Sequence, residues 1–430
     1  AGLGYAHKKY GSLEWSKLIH PSIILSKYGY NLDYNNVSLM NSKRYKNKLS
    51  QDIETKKIFS KESDFAINEL FIQTDLSKTL ERISSYGYNE FYHGETADKI
   101  IDCMNRTGGI ISYLDLESYI PLEKKPITFT YRNYKIHSMP LPSSGGITIA
   151  NILNQLENVD FDNLGYHSSD HIHYLVESER RAYSDRAKYL GDDNFVDVPV
   201  DMLISKEYAS KMFNTINPEK ATNSMEIYDS NIIINTESNE TTHYSVADKN
   251  GMAVSVTTTL NGWYGNGITV DGAGFLLNNE MDDFSIKPGH PNAYGLVGNE
   301  ANAIEPNKRM LSSMSPTIVE DPDGNLFLVV GSPGGSTIIT TVTQILSNVI
   351  DFNMEIDQAV ESRRIHHQCL PDVIQLENYT LSYDVINKLS SYGHSFKYRS
   401  SIGEANCIMF KNNMFFGSAD SRRNASALAY

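Results

Sequence analysis

Two adjacent threonines, Thr241 and Thr242, are the residues of this sequence whose type and position most suggest chemistry. They follow Glu240 and open the segment TTHYSVADKNGMAVSVTTTLN, residues 241–261. Alternating apolar and polar residues on either side of Asp-Lys-Asn-Gly predict a β-hairpin. Because threonine is a good strand former, the pair also has an ordinary structural interpretation.

The chemical interpretation depends on what precedes the hairpin. Residues 214–240 lack any period and are rich in Asn and Ser, which favours an exposed loop running into Thr241. If the chain is cut before Thr241, this residue carries both a hydroxyl and a free α-amine, whose pKa of about 8 lets it accept a proton at neutral pH. The hydroxyl is then a nucleophile with its own base. Both interpretations stay open on this segment alone.

Composition limits the classes of function. The chain has 430 residues, of which 40% are hydrophobic and 21% charged, as in a folded protein of one large or two ordinary domains. Its 38 Lys and Arg residues against 52 Asp and Glu residues give a net charge of −14, which argues against nucleic acid as a partner. No run approaches the roughly 20 apolar residues that span a bilayer.

The cysteines and the first residues add two expectations. Cys103, Cys369 and Cys407 are too widely spaced for a zinc motif and odd in number for a disulfide framework, so we expect buried apolar side chains. The chain begins AGLGYAHKKY and not with Met, and we expect residue 1 to follow a removed or missing segment.

Hydrophobic periodicity predicts mainly helices in the first half and strands in the second. Helices are predicted at residues 12–27, 77–85, 96–105, 168–189, 336–349 and 356–363. Strands are predicted at the hairpin and at AGFLL, SPTIVED, NLFLVV, VIQLE, SFKYR and NCIMF. This order indicates an α+β protein with layers of helix on either side of packed sheets.

Five segments in this order, ETTHYSVADKNG, TTTLN, LLNNEMDDFS, PNKRMLSSMSP and GSPGGS, closely resemble motifs of the γ-glutamyltranspeptidases. The likeness extends from YAHKKYGSLEWSKLIHPSI to the C-terminal tyrosine. Members of this family are N-terminal-nucleophile hydrolases with an αββα four-layer sandwich, made as one chain that cleaves itself. The resemblance implies a large-subunit part at residues 1–240, without the family's N-terminal segment, and a small subunit at residues 241–430.

The resemblance assigns the chemistry to the first threonine of the pair. It implies that Thr241 is the nucleophile, that the bond between Glu240 and Thr241 is cut during maturation, and that the Thr259 hydroxyl orients the nucleophile. Gly334 and Gly335 match the family's oxyanion hole, in which two backbone N–H groups face the developing negative charge.

Other positions match the family's contacts with the α-ammonium and α-carboxylate of a γ-glutamyl donor. Asn261, Glu280 and Asp283 match those that hold the ammonium, and carboxylates plus an amide suit a cation with three donors. Ser312 and Ser313 match the pair that donates to the carboxylate. The acidic segment also fits a calcium loop or a solvated turn, and the serines also fit polar residues at a strand edge.

Two further expectations follow from the family. Tyr294 lies in a long loop rich in Gly, Pro and Asn, which covers the donor pocket in bacterial members; ordinary packing is the alternative for this tyrosine. The family's arginine that pairs with the substrate α-carboxylate belongs to the N-terminal part of the large subunit, upstream of residue 1. We interpret as structural the segment PLPSSGG, His243, and the adjacent His366 and His367.

The expected activity is ping-pong acyl transfer. Thr241 takes the γ-glutamyl group from glutathione or a similar amide, forms an ester, and passes the acyl group to water, an amino acid or a peptide. We expect no cofactor or metal, pairing of the two subunits after cleavage, and a periplasmic or secreted location. A related acylase, a polyglutamate-processing hydrolase and a non-catalytic remnant of the fold are the alternatives. The ammonium-binding set favours free γ-glutamyl donors over acylase substrates.

Overall fold

The chain forms two compact units in the computed structural model, which describes residues 1–228, 241–285, 287 and 300–430. The first unit comprises residues 1–124 and 263–279, and the second comprises residues 125–262 and 280–430. These units differ from the predicted subunits, since the boundary between residues 240 and 241 is a predicted cleavage point and does not have to coincide with a boundary between packed bodies. The subunit boundary stays a prediction.

The first unit is built mainly of helices. They are α1 Gly2–Tyr10, α2 Trp15–Tyr28, α3 Tyr34–Asn41, α4 Lys43–Leu49, α5 Ile53–Phe59, α6 Thr74–Tyr86, α7 Glu90–His93, α8 Glu95–Thr107 and α9 Tyr113–Ser118. Two short strands, β1 Tyr30–Asn31 and β2 Leu70–Phe71, pair antiparallel. The predicted helices at residues 12–27, 77–85 and 96–105 correspond to α2, α6 and α8. Helix α8 ends at a glycine, Gly108, which takes a left-handed conformation.

The predicted strand AGFLL, residues 273–277, is wrong. The chain turns sharply there, because the N–H groups of Ala273 and Gly274 both donate to the carbonyl of Val270. An isolated bridge between Thr269 and Leu276 replaces the strand. Gly274 has a φ of 76°, which an L side chain rarely adopts, so the glycine of this segment marks a turn.

The second unit contains the larger sheets. Its elements are β3 Ile127–Tyr131, β4 Tyr134–Ser138, α10 Gly145–Leu156, α11 Ser169–Tyr189, α12 Val200–Leu203, α13 Lys206–Phe213, α14 Ser224–Ile227, β5 Thr242–Ala247, β6 Ala253–Thr258, β7 Thr317–Glu320, β8 Leu326–Val330, α15 Thr337–Ile350, α16 Ile356–Glu361, β9 Ile365–His366, β10 Ile374–Glu377, α17 Tyr383–Tyr392, β11 Phe396–Arg399, β12 Asn406–Lys411 and β13 Met414–Ala419. Among the described residues, short 3₁₀ turns lie at Phe161–Asn163, Glu280–Asp283 and Glu300–Asn302.

A six-stranded sheet in the order β13-β12-β8-β7-β4-β3 forms the centre of the second unit. Its pairings are all antiparallel. Leu328 and Val330 of β8 join the core that α10, α11 and α15 share, whereas the buried Val329 between them lies outside that core. Because side chains alternate along a strand, Val329 faces the other side of the sheet.

The β5–β6 hairpin packs against β8 and β12 of this sheet through its polar side chains. Ser245 Oγ donates to the carbonyl of Asn406 at 2.9 Å, and Ser255 Oγ donates to the carbonyl of Val330 at 3.1 Å. The alternate residues, such as Tyr244 and Val246, are exposed. The predicted hairpin is confirmed, and its pairing of Thr242 with Thr258 places residues 241 and 259 side by side at its open end.

Most other predicted elements of the second unit are confirmed within two residues of their expected ends. Helix α11 begins after Ser168, whose Oγ accepts from the N–H of His171 at 3.2 Å and so caps the helix. The β3–β4 hairpin and β13 were not predicted. A third sheet, in the order β11-β10-β9, contains a parallel pair. The predicted α+β class is confirmed.

Candidate functional site

Thr241 and Thr259 meet at the open end of the hairpin, where the sequence predicted them. The Thr241 hydroxyl donates to Thr259 Oγ1 at 3.4 Å, and both residues are half-buried. Thr259 Oγ1 also accepts from the N–H of Asn261 at 2.8 Å. This second contact fixes the Thr259 hydroxyl, which in turn holds the Thr241 oxygen in one place.

His243 anchors the hairpin under Thr241. Its Nε2 lies 3.1 Å from Ser245 Oγ, and its Nδ1 lies 2.8 Å from Thr257 Oγ1. Because Ser245 donates to a carbonyl, its oxygen accepts from Nε2–H, which leaves Nδ1 to accept from Thr257. Burial lowers the pKa of His243 to about 4, so the imidazole is neutral. His243 lies in strand β5, and these contacts support its structural interpretation.

Asn261 has an unusual backbone conformation. Its φ is 69° and its side chain is buried. Asparagine tolerates this left-handed region better than most residues do. The turn at Asn261 ends the strand and brings its N–H back to Thr259, so the predicted ammonium ligand and the predicted orienting hydroxyl share one short segment.

The two glycines predicted as an oxyanion hole lie between β8 and α15. Gly334 has a φ of 137°, and a Cβ there would lie 2.5 Å from Thr337 Oγ1. The N–H groups of Gly334 and Gly335 donate to no acceptor in the part of the chain that the structure describes. Two unpaired N–H groups just before a helix N-terminus favour a negatively charged oxygen. The segment starts at Gly331, which lies directly against the ring of His243.

A chain of hydrogen bonds supports the glycine segment from behind. Tyr183 on α11 donates to the carbonyl of Ser336 at 2.5 Å. Ser336 Oγ donates to Gln368 Oε1 at 2.7 Å, and His366 Nε2 lies 2.7 Å from the same oxygen. Thr340 Oγ1 lies 2.8 Å from His366 Nδ1. Burial lowers the pKa of His366 to about 3, so this histidine is a neutral member of a structural network.

The predicted ammonium ligands Glu280 and Asp283 lie on one 3₁₀ turn. Burial raises the pKa of Glu280 to about 7. Burial and then the neighbouring Glu280 raise the pKa of Asp283 to about 7, against the opposing attraction of Arg186. Two carboxyls with raised pKa values bind an ammonium well, because the cation relieves the unfavourable charge of both.

The predicted carboxylate ligands Ser312 and Ser313 are half-buried and precede β7. The N–H of Ser312 donates to the carbonyl of Pro142 at 2.8 Å. The N–H and Oγ of Ser144 donate to the carbonyl of Ser312 at 2.8 and 2.7 Å. The PLPSSGG segment, interpreted as structural, therefore holds the backbone of the serine pair.

Asn302 connects the acidic turn to the serine pair. Its Nδ2 donates to the carbonyl of Asp283 at 2.7 Å, and its Oδ1 accepts from the N–H of Leu311 at 2.9 Å. The N–H of Ser285 donates to the carbonyl of Asn302 at 2.9 Å. The ammonium and carboxylate candidates are therefore fixed relative to each other.

Two residues at this site, Ser144 and Arg186, were not predicted. Arg186 on α11 is buried, with Nε donating to Ser144 Oγ at 2.9 Å and Nη2 donating to Ser313 Oγ at 3.2 Å. The same helix contains Arg180 and Arg181. Nothing in the sequence alone distinguishes the arginine that reaches the serine pair from the other two.

Glu240 and Tyr294, the remaining predicted site residues, lie outside the described residues, as do residues 229–240 of the predicted loop. In the described part of that prediction, residues 214–228, the chain forms the short helix α14, which was not predicted. The three cysteines are buried and unpaired, as predicted. Among the described residues, no helix is both long enough and apolar enough to cross a membrane.

One cluster away from this site has the residue types of a metal centre. Ligand atoms of His173, Glu177 and His394 lie within 4.8 Å of one another. However, Glu177 accepts hydrogen bonds from Arg180 at 3.1 Å and from Arg181 at 2.6 Å, and these pairs lower its pKa to about 2 against the effect of burial. The carboxylate is thus occupied by two cations, which favours a structural role.

Comparisons with known proteins agree with the motifs. The profile of the gamma-glutamyltranspeptidases matches residues 1–430. The chain is 44% identical over 425 residues to the glutathione hydrolase proenzyme of Escherichia coli (strain K12), covering 98% of this chain and 72% of that protein. It is 42% identical over 447 residues to the glutathione hydrolase proenzyme of Pseudomonas sp. (strain A14), covering 100% of this chain and 76% of that protein.

The fold is similar to that of cephalosporin acylase from Bacillus halodurans. The TM-score is 0.86, and the match covers 99% of this chain and 76% of the acylase at 23% sequence identity. At this identity the likeness concerns the fold alone. The predicted N-terminal-nucleophile hydrolase fold is confirmed.

Proposed function

This chain belongs to the gamma-glutamyltranspeptidase family, an enzyme family that acts on γ-glutamyl substrates, and from this premise we propose that Thr241 is its catalytic nucleophile. The observation that carries the proposal is the pairing of Thr241 with Thr259 at the end of a hairpin whose polar face is held against the central sheet. Thr242, the next residue, is exposed and continues the strand.

Maturation is the first reaction at Thr241. Its hydroxyl attacks the carbonyl carbon of Glu240, and the C–N bond to Thr241 breaks as the acyl group moves from nitrogen to oxygen. Water then hydrolyses the ester, releasing the Glu240 carboxylate and restoring the Thr241 hydroxyl. The products are a large-subunit part ending at residue 240 and a small subunit of residues 241–430, which stay paired. The Thr241 α-amine set free by this cut becomes the general base.

Acyl transfer is the second reaction. The α-amine takes the hydroxyl proton as Thr241 attacks the γ-carbonyl of the donor, and the N–H groups of Gly334 and Gly335 stabilise the tetrahedral oxyanion. One such N–H group lowers the activation barrier by about 3 kcal/mol. The leaving amine takes the proton as its C–N bond breaks, leaving a γ-glutamyl ester on Thr241. Water or an acceptor amine attacks this ester, and the hydroxyl is restored.

The donor's charged groups define its position. Glu280, Asp283 and Asn261 bind the α-ammonium, and Ser312 and Ser313 donate to the α-carboxylate. Asn302 fixes the spacing between these two sets. A free γ-glutamyl amide such as glutathione has both groups, whereas a simple acyl amide has neither, so the acidic pair favours glutathione hydrolase and transpeptidase activity over acylase activity. A periplasmic or secreted location, which family members usually have, completes the proposal.

The experiment that tests the assignment compares Thr241→Ala with Thr242→Ala in the protein produced from its complete reading frame. Release of 4-nitroaniline from L-γ-glutamyl-4-nitroanilide is measured with and without glycylglycine as acceptor. We expect Thr241→Ala to lose activity by about 10³-fold or more, because no other group replaces the nucleophile. Thr242→Ala should stay within about threefold of wild type, since its side chain is exposed. Equal activity of the two variants would contradict the assignment.

A further inference from the structure

Arg186 differs from the other buried arginines of the second unit in having no carboxylate partner within ion-pair distance among the described residues. Arg180 and Arg181, on the same helix, both pair with Glu177. Arg364 pairs with Asp420 at 2.6 Å. A buried guanidinium without a paired anion is unfavourable unless another group satisfies it. Its position at a ligand site therefore requires an explanation.

The two hydrogen bonds of Arg186 both lead to the serine pair. Nη2 donates directly to Ser313 Oγ at 3.2 Å. Nε donates to Ser144 Oγ at 2.9 Å, and the Ser144 hydroxyl in turn donates a hydrogen bond to the carbonyl of Ser312 at 2.7 Å. One guanidinium thus holds the side chain of Ser313 and, through Ser144, the backbone of Ser312.

Each hydroxyl of the serine pair accepts a hydrogen bond, Ser313 from Arg186 and Ser312 from Met314. A hydroxyl has one proton to donate and two lone pairs that accept. Ser313 Oγ accepts from Arg186, and Ser312 Oγ accepts from the N–H of Met314 at 3.0 Å. Neither hydroxyl donates to any residue in the described ranges. Both protons are therefore available to an acceptor outside the protein.

The charge of Arg186 suits the same acceptor. The guanidinium has five N–H donors, of which two make the contacts given above. Asp283 is near enough to interact electrostatically with Arg186 but forms no ion pair with it. This environment has a buried positive charge and two hydroxyl donors, and no carboxylate of the described residues is paired with that charge. These properties suit a site that binds a carboxylate.

We propose that Arg186 is a positioning residue for the donor α-carboxylate, turning the hydroxyl proton of Ser313 toward that group, holding the backbone of Ser312 through Ser144, and balancing the charge of the carboxylate. This inference rests on the proposed function, because it concerns recognition of the same γ-glutamyl donor. Arg186 acts through the serines and does not carry out the acyl transfer itself.

The test compares two donors that differ by one group. L-γ-glutamyl-4-nitroanilide has the α-carboxylate, and 4-aminobutyryl-4-nitroanilide lacks it but keeps the amine and the scissile amide. The variants Arg186→Gln and Arg186→Lys, in the full-length matured protein, are measured for KM and kcat on both. The matched control is Arg181→Gln, which removes a buried arginine of the same helix that contacts Glu177 and not the serine pair.

Arg186→Gln should raise KM for the γ-glutamyl donor at least tenfold and change kcat/KM for the decarboxylated donor less than threefold. Arg186→Lys should recover part of this loss, since it restores the charge without the guanidinium fork. After Ser313→Ala, Arg186→Gln should have a smaller effect than it has alone, because the two residues are coupled. Arg181→Gln should lower thermal stability and keep the ratio of kcat/KM between the two donors.

Loss of activity by the same factor on both donors would overturn the proposal, because a structural defect makes no distinction between them. Failure of both Arg186 variants to mature, with normal maturation of Arg181→Gln, would also overturn it by assigning Arg186 to folding. If the wild type hydrolysed neither donor, the proposed function itself would be contradicted. An active Arg186→Gln variant with an unchanged KM for the γ-glutamyl donor would contradict only the role of Arg186.

Discussion

The proposed nucleophile end of the site contains hydroxyls and backbone N–H groups, whereas the proposed donor end contains two half-buried carboxyls and a buried arginine. Thr241, Thr259 and the two glycines carry no charge before the chain is cut. Glu280 and Asp283 both have a pKa raised to about 7. The two ends therefore respond differently to pH and to substitution.

This difference separates catalysis from recognition. In the proposed function, ionisation at the donor end controls binding, so changes at that end should affect KM. At the nucleophile end the titrating group in the proposed mechanism is the α-amine that the proposed cleavage frees, with a pKa of about 8, so changes there should affect kcat and maturation. Each prediction that follows changes one end and tests whether the other responds.

The largest expected effect on recognition comes from Asp283→Asn. Removing one of two carboxylates should raise KM for L-γ-glutamyl-4-nitroanilide about 100-fold, because a hydrogen bond to a charged group contributes about 1.5–3 kcal/mol. The rate of self-cleavage should stay near that of wild type. Asp282→Asn, on the same turn, is the matched control. Equal increases in KM for both variants would show that the overall negative charge of the turn, and not Asp283 in particular, binds the ammonium.

Thr259→Val should have an intermediate effect at the nucleophile end. The substitution keeps the shape of the side chain but removes the oxygen that contacts Thr241 and accepts from the N–H of Asn261. We expect self-cleavage to slow about tenfold, in line with loss of one or two hydrogen bonds. A time course on denaturing gels measures this rate.

The control for Thr259→Val is Thr258→Val, because Thr258 is the adjacent strand residue and is exposed. Its cleavage rate should match that of wild type. If both variants cleave at the same rate, the Thr259 hydroxyl does not orient the nucleophile.

The pH dependence of KM should depend on the donor end alone. Ammonium binding needs ionised carboxylates, and both groups are increasingly protonated below a pH of about 7, so KM should rise as pH falls from 8 to 6. In Glu280→Gln, Asp283 loses a neighbour that raises its pKa, and the inflection should move to lower pH. Steady-state kinetics between about pH 5.5 and 8.5, on either side of the carboxyl pKa values, measure the dependence of KM on pH. An unchanged inflection would mean that other groups control binding.

Tyr183→Phe should have the smallest effect. It removes the hydrogen bond to the carbonyl of Ser336, behind the two glycines. We expect kcat to fall about threefold with KM unchanged, since the oxyanion donors lose one support but remain in place. Tyr131→Phe, which removes a buried tyrosine hydroxyl that donates to Asp351, is the control. A rise in KM with unchanged kcat would place Tyr183 at the donor end.

Local patterns explain what could be predicted from the sequence. The hairpin has its turn residues, α11 has its serine cap, and α15 has apolar residues at helical spacing after two glycines. AGFLL was predicted as a strand because its residues suit one, but the turn at residues 270–274 depends on contacts between residues that the pattern does not show. The β3–β4 hairpin was missed although its residues alternate.

The site was predictable to the extent that its residues lie in short motifs. Thr241 through Asn261 and Glu280 through Asp283 each lie in one continuous segment. The role of Arg186 depends on packing between α11, the start of α10 and the serine pair, which are far apart in the chain. No spacing rule identifies such a residue before the fold is known.

The most direct test of Thr241 as a self-cleaving nucleophile is the intact mass of the protein, expressed from its complete reading frame, beside that of Thr241→Ala. The wild type should give two polypeptides, the smaller beginning at Thr241, and the variant should stay as one folded chain. If wild type and variant both stay whole while folded, or both are cut at the same bond, Thr241 is not the nucleophile of its own maturation.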